Sequence, residues 1–188
     1  SFLASIIFAL GFLLYRTTAA GLLAASLIVF DPALIIYSRL ILPDTALLVC
    51  GFGALLMLHY AFTTPRATLF WISIAVSGML LGCAVSVKWT GLGFWGLAFL
   101  YAVLQKRSLR TAFALSLLLC MTYSALFIWH FMFFEGGTPN TFQFKNETAK
   151  ALQFPSGKNI KNIITFLPAY HRAMFNANFE YQNHKSAS

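Results

Sequence analysis

Three stretches of the sequence are apolar for long enough to cross a membrane, and they limit the fold more than any other feature. They cover residues 45–62, 69–87 and 111–134. A helix needs about 20 apolar residues to span the hydrocarbon core of a bilayer. Hydrophobic residues make up 59% of the 188-residue chain and charged residues only 10%, with a mean hydropathy of +0.74. This pattern predicts an all-α membrane protein that crosses the bilayer several times.

Three weaker apolar segments accompany these stretches. They cover residues 2–15, 17–30 and 91–105. Residues 1–134 are therefore predicted to be a transmembrane helical region of about six segments. The chain begins at Ser1 inside an apolar run, without a methionine, and it ends on a polar run. We expect it to be an internal fragment of a longer protein.

The end of the chain has a different composition. Residues 135–158 are rich in Gly, Thr, Asn and Lys, and apolar residues recur at helical spacing after residue 159. This spacing is typical of amphipathic helices that lie on a membrane surface. We expect residues 135–188 to form an extracytoplasmic loop with such helices, which either anchors the chain to the surface or covers a site.

The basic residues predict which way the helices face. Arg16, Arg66 and the run "QKRSLR" at 105–110 fall in short connections that six alternating helices bring to one side. Because short cytoplasmic loops carry an excess of Lys and Arg, this side is predicted to be cytoplasmic. The opposite, extracytoplasmic side then receives Lys88 and all five acidic residues.

A charged segment interrupts the apolar pattern between the second and third predicted helices. Asp31, Arg39 and Asp44 lie there, and Arg39 stands between the apolar clusters "ALIIY" and "LIL". A charge at mid-membrane costs about 2.5–3.5 kcal/mol on insertion scales, so such residues usually face a cavity or a partner. An arginine can bind a phosphate through two parallel hydrogen bonds. The alternative is that the charges only cap helices in the headgroup region.

Three motifs in this sequence resemble the protein O-mannosyltransferases, which are dolichyl-phosphate-mannose–protein mannosyltransferases of glycosyltransferase family 39. The first is "SRLILPDTALL" at 38–48, preceded by Phe30-Asp31. The second is "GCAVSVKWTGL" at 82–92, and the third is "YHRAMFNAN" at 170–178, followed by His184 and Ser186. The motifs come in the order found in the family and, with the helix pattern, cover nearly the whole chain.

The resemblance implies a GT-C type helical bundle that transfers mannose from a polyprenyl or dolichyl phosphate carrier to Ser or Thr hydroxyls of proteins, on the extracytoplasmic side. The donor is a substrate, and no cofactor or metal is expected. The family's catalytic acidic pair lies in a loop upstream of this chain, so the catalytic base stays unassigned. The residues expected to bind or orient the substrates are Arg39, Asp44, Asp31, Lys88, His171, Asn178 and His184.

The resemblance also bears on location and partners. Eukaryotic family members insert a large MIR domain after the segment that matches 111–134, and too few residues stand here before the next family motif to hold one. A MIR-less, bacterial-type member is therefore expected, in the bacterial inner membrane, or in the endoplasmic reticulum if the host is eukaryotic. The expected partners are the lipid-linked donor, an acceptor protein and membrane lipids, with a homodimer or heterodimer left open.

The same residues are compatible with other functions. A related GT-C transferase with a lipid acceptor, a transporter or flippase, and a non-catalytic scaffold remain alternatives. Nucleic-acid binding is not expected, because the basic residues are spread over loops without interleaved aromatic residues. The three cysteines lie in apolar segments, so neither a disulfide nor a metal site is expected. Five glycines predict close helix packing, namely Gly78, Gly82, Gly91, Gly93 and Gly96.

Overall fold

The structure is a computed structural model. It describes residues 2–32, 43–105 and 109–133, together with Ile164, Pro168, His171 and Arg172. The chain divides into two compact units, Ser1–Leu126 and Phe127–Ser188. The first unit contains the predicted apolar segments up to residue 126.

The described residues form six α-helices. They are α1 Phe2–Tyr15, α2 Thr18–Val29, α3 Pro43–Thr63, α4 Ala67–Val87, α5 Leu92–Leu104 and α6 Leu109–Phe133, with a 3-10 turn at Trp89–Gly91 between α4 and α5. Three stretches are long and apolar enough to cross a membrane, namely Asp44–Thr63, Ala67–Val87 and Leu109–His130. The prediction of an all-helical, polytopic membrane protein is confirmed, and the three weaker segments form shorter helices.

The connection between α1 and α2 is a tight helical hairpin. Arg16 ends α1 in the left-handed region, with φ 56°, and its N–H donates to the carbonyl of Phe12 over 2.8 Å. Thr17 then caps α2, because its hydroxyl accepts a hydrogen bond from the N–H of Ala20. The helices approach closely at Gly11 and Gly21, where an added Cβ on Gly11 would lie 3.1 Å from the Cα of Gly21.

The antiparallel pair α3 and α4 forms the centre of the first unit. The buried hydroxyl of Ser77 on α4 donates a 2.8 Å hydrogen bond to the carbonyl of Ala54 on α3. Around this bond, the side chains of Leu58, Ile74 and Leu81 are almost fully buried. Pairing of Ala54 with Ser77 sets the register of the two helices, so the start of α3 lies beside the end of α4.

The short helix α5 packs on α3 and runs parallel to it. The ring of Phe94 lies against Gly51, and a Cβ added to this glycine would be 2.5 Å from the ring. The ring of Phe52, the next residue of α3, contacts Phe94 edge to face. Further along, Tyr101 makes a 2.8 Å hydrogen bond with Nδ1 of His59. These contacts keep α5 in place although it is too short to span a bilayer by itself.

Helix α6 packs against both α5 and α4. The indole N–H of Trp95 donates to the hydroxyl of Ser116 over 3.0 Å, and Ser116 donates in turn to the carbonyl of Ala112. On the other side, Gly78 and Gly82 of α4 allow α6 to approach. A Cβ added to Gly82 would lie 2.6 Å from Cβ of Thr122 and 2.9 Å from the carbonyl oxygen of Leu119.

The prediction that the glycines mark close helix packing agrees with the described structure at three of them, whereas no described residue packs against the other two. Gly78 and Gly82 contact α6, and Gly91 lies against the last turn of α4. At Gly93 and Gly96, by contrast, an added Cβ would have no atom of the described structure within 4 Å. The local sequence is equally rich in glycine at both places, so only the position of the neighbouring helix distinguishes them.

We expect Gly82→Ala to destabilise the protein and Gly96→Ala to leave its stability unchanged or slightly increased. Both changes gain about 1 kcal/mol of helix propensity. Only Gly82→Ala forces two helix backbones apart, and overpacking of this kind costs about 1–3 kcal/mol. Thermal unfolding of both variants in the same detergent measures the difference. Equal melting temperatures would show that α4 and α6 are not in close contact at Gly82.

Candidate functional site

The helix directions place the charged residues at two opposite ends of the first unit. Helices α1 and α3 run parallel, because Ile6 faces Gly53 near the middle of the pair and Arg16 interacts electrostatically with His59 further along. Since α2 returns antiparallel to α1, Asp31 comes to the end at which α3 begins. The described charges of this end are Asp31, Asp44 and Lys88, and those of the opposite end are Arg16, Arg66 and Arg110.

Two of the predicted site residues are in direct contact. Lys88 Nζ lies 2.7 Å from Asp44 Oδ1, an ion pair that joins the end of α4 to the start of α3. The side chains are 51% and 33% exposed. Ion pairs this exposed contribute about 0–1 kcal/mol to stability. Holding the helices together therefore does not require this pair, whereas an exposed ammonium group beside a carboxylate is accessible to an anionic ligand.

The backbone of Lys88 is held rigidly by the turn that follows α4. Its N–H donates to the carbonyl of Ala84 over 3.2 Å, and its own carbonyl accepts from the N–H of Gly91 over 2.8 Å. Lys88 itself is extended, with φ −159° and ψ 138°. The turn packs so tightly that a Cβ added to Gly91 would lie 2.7 Å from the backbone of Ala84. Only glycine fits there, and the direction in which Lys88 leaves the backbone is fixed as a result.

The partner carboxylate is placed by the first turn of α3. Helix α3 starts at Pro43, a residue favoured at the first helical position because it lacks an N–H to satisfy. Asp44 follows in the first turn, where a negative charge interacts favourably with the helix dipole. This local stabilisation makes Asp44 the fixed member of the pair, whereas the lysine ends in a flexible stem of four carbons.

Thr45 belongs to the same end and was not among the predicted site residues. Its hydroxyl oxygen is buried and has no hydrogen-bond partner among the described residues. A buried hydroxyl without a partner is costly, and it marks a place where a substrate or water can supply the missing hydrogen bond. The residue looks like ordinary helix capping in the sequence, which is why no motif drew attention to it.

Asp31 lies just beyond α2 and is partly buried. The last helical hydrogen bond runs from the N–H of Phe30, the C-cap residue, to the carbonyl of Ser26 over 2.9 Å. The backbone therefore carries the carboxylate of Asp31 to the end of the unit that also holds Asp44. Its predicted role as an orienting residue for Arg39 stays a prediction, because Arg39 lies outside the described residues.

The remaining predicted site residues belong to the second unit. His171 is helical, and its ring lies against Phe127 with 5.1 Å between the ring centroids and 53° between the planes. Packing of this kind holds the imidazole in one position. Asn178 and His184 lie outside the described residues, so their predicted contacts with donor or acceptor stay predictions.

This geometry supplies a cation on a fixed backbone, with an adjacent carboxylate, at one end of the first unit. An ammonium group can bind a phosphate oxygen and stabilise negative charge that grows on it during a reaction. A carboxylate in contact with it neutralises the lysine while no anion is bound. The arrangement can therefore bind an anionic group that reaches this end of the first unit.

One of three comparisons with known proteins found a match, and this match covers the first two motifs on which the resemblance rests, at 38–48 and 82–92. The chain matches no curated protein and no solved structure. The family model of the dolichyl-phosphate-mannose-protein mannosyltransferases matches residues 1–135, which include every helix of the first unit and both members of the Lys88–Asp44 pair. With a match over most of its length, the chain belongs to the dolichyl-phosphate-mannose-protein mannosyltransferase family, a family of membrane glycosyltransferases.

Proposed function

We propose that this protein transfers mannose from a polyprenyl phosphate carrier to Ser or Thr hydroxyls of acceptor proteins on the extracytoplasmic side of the membrane. The observation that carries the proposal is the ion pair between Lys88 and Asp44, at 2.7 Å. It supplies a positioned cation at the end of the helices where a lipid-linked phosphate can enter from the bilayer. Family membership supports the mannosyl donor and the protein acceptor.

The reaction requires one bond to form and one to break at the anomeric carbon. The oxygen of the acceptor hydroxyl forms the new bond to this carbon, and the bond from the carbon to the phosphate oxygen breaks. The electron pair of that bond stays on the phosphate, so negative charge grows there in the transition state. In the proposal, Lys88 and Arg39 stabilise this charge, and a base outside the assigned residues takes the hydroxyl proton.

The side of the membrane is supported by the separation of charges between the two ends. Arg16, Arg66 and Arg110 occupy the end opposite to the Lys88–Asp44 pair. Basic residues in short loops favour the cytoplasmic side, so the ion pair faces away from the cytoplasm in the proposed orientation. A bacterial inner membrane fits the proposal best, and the lumenal side of the endoplasmic reticulum is the eukaryotic equivalent.

We expect Arg39→Ala to abolish mannose transfer and Lys88→Gln to reduce it by about 10- to 1000-fold, as for other groups that stabilise a transition-state charge. The assay follows labelled mannose from polyprenyl phosphate to a Ser/Thr-rich peptide, in membranes that carry the full-length protein. Arg66→Gln serves as the matched control, because it removes the same charge from the opposite end.

Transfer that persists at the normal level in Arg39→Ala, at equal protein abundance, would contradict the assigned role of the arginine. Transfer to a lipid acceptor but not to the peptide would replace the proposed acceptor with a membrane lipid. Loss of transfer in Arg66→Gln to the same extent as in Lys88→Gln would show that net charge, rather than the position of Lys88, controls the rate.

The proposed orientation predicts a difference in labelling between two exposed threonines at opposite ends. In a variant without native cysteines, Thr90→Cys should react with a membrane-impermeant maleimide in intact cells. Thr68→Cys should react only after the membrane is opened. Both side chains are exposed at the surface of the first unit, so burial does not explain the difference. The reverse result would place the ion pair on the cytoplasmic side.

A further inference from the structure

We propose that Asp44 weakens the binding of the reaction product, the free polyprenyl phosphate, and thereby speeds its release. This inference rests on the proposed function. It assigns to Asp44 a role different from orienting an arginine or activating the acceptor. The carboxylate acts as a competitor that takes Lys88 back from the phosphate after transfer.

Donor and product differ by about one negative charge. The donor is a phosphodiester with a single negative charge, whereas the product is a phosphomonoester that carries about −1.5 to −2 at neutral pH, since its second pKa is near 6. Any cation that stabilises the leaving phosphate in the transition state also binds this product more tightly than the donor. A site built only from cations would therefore retain its own product.

The structure contains a group that counters this effect. Asp44 Oδ1 lies 2.7 Å from Lys88 Nζ, within the distance of a strong charge-assisted hydrogen bond. Both ligands must take the ammonium group from this carboxylate. The carboxylate then stays beside the bound phosphate, and it repels the product about twice as strongly as the donor, because coulombic repulsion is proportional to charge.

The two members of the pair are built for such an exchange. The backbone of Lys88 is fixed on both sides by its hydrogen bonds to Ala84 and Gly91, so only the side chain moves. Half of that side chain is exposed, whereas Asp44 is held in the first turn of α3. Nζ can thus move between Asp44 and a phosphate without any change in the helices.

The test measures the dissociation constants of polyprenyl phosphate and of polyprenyl-phosphate-mannose without acceptor, on the full-length protein in detergent. For Asp44→Asn, we expect the affinity for the product relative to that for the donor to rise about two- to fivefold, as expected for a partly exposed charge. Asp44→Glu, which keeps the carboxylate, should restore the wild-type ratio. Asp44→Asn should also raise the affinity for the donor itself, because Lys88 is no longer held by the carboxylate, and this gain should shrink in a Lys88→Gln background.

The outcomes separate this inference from the proposed function. If the wild-type protein transfers mannose but Asp44→Asn leaves the ratio of product affinity to donor affinity unchanged, or lowers it, only the role of Asp44 is overturned. An equal gain in donor affinity from Asp44→Asn with and without Lys88 would overturn the competition for Lys88. Wild-type protein that binds neither ligand and transfers no mannose would overturn the proposed function and this inference together.

Discussion

The antiparallel packing of α3 on α4 is the constraint on which the rest of the first unit depends. Its register is set inside the core by the hydrogen bond from Ser77 to the carbonyl of Ala54. Within a membrane no water competes for these groups, so a polar bond between helices favours one register over its neighbours. A shift by one turn would break this hydrogen bond and would move Lys88 about 5.4 Å further from Asp44 along the helix axis.

Helix α4 connects the close packing at small residues with the position of the ion pair at the helix ends. Gly78 and Gly82 let α6 approach one part of this helix, and Gly91 closes the turn that holds Lys88. Lys88 therefore follows a helix whose position is determined at several points along its length. In this way the backbone of Lys88 is held in a fixed place while its ammonium group stays accessible.

The helices and the family could be predicted from the sequence, whereas the contacts between helices could not. Apolar runs predict the helical segments because a membrane requires them, and the motif "VKWTG" singled out Lys88. The pairing of Lys88 with Asp44 depends on the register of α3 and α4. The two residues lie 44 positions apart in the sequence, so no local sequence pattern predicts their contact. The same reason explains the unpredicted burial of the Thr45 hydroxyl and the open surroundings of Gly93 and Gly96.

The central claim is that the phosphate of the lipid-linked substrate binds at the end of the bundle that holds Lys88 and Asp44. The most direct test uses a short-chain polyprenyl phosphate with a photoreactive group next to the phosphate, followed by mass-spectrometric mapping of the labelled peptides. The account predicts labelling within residues 43–48 or 86–92. Labelling concentrated at residues 15–18 or 63–68, at the opposite end, would contradict it.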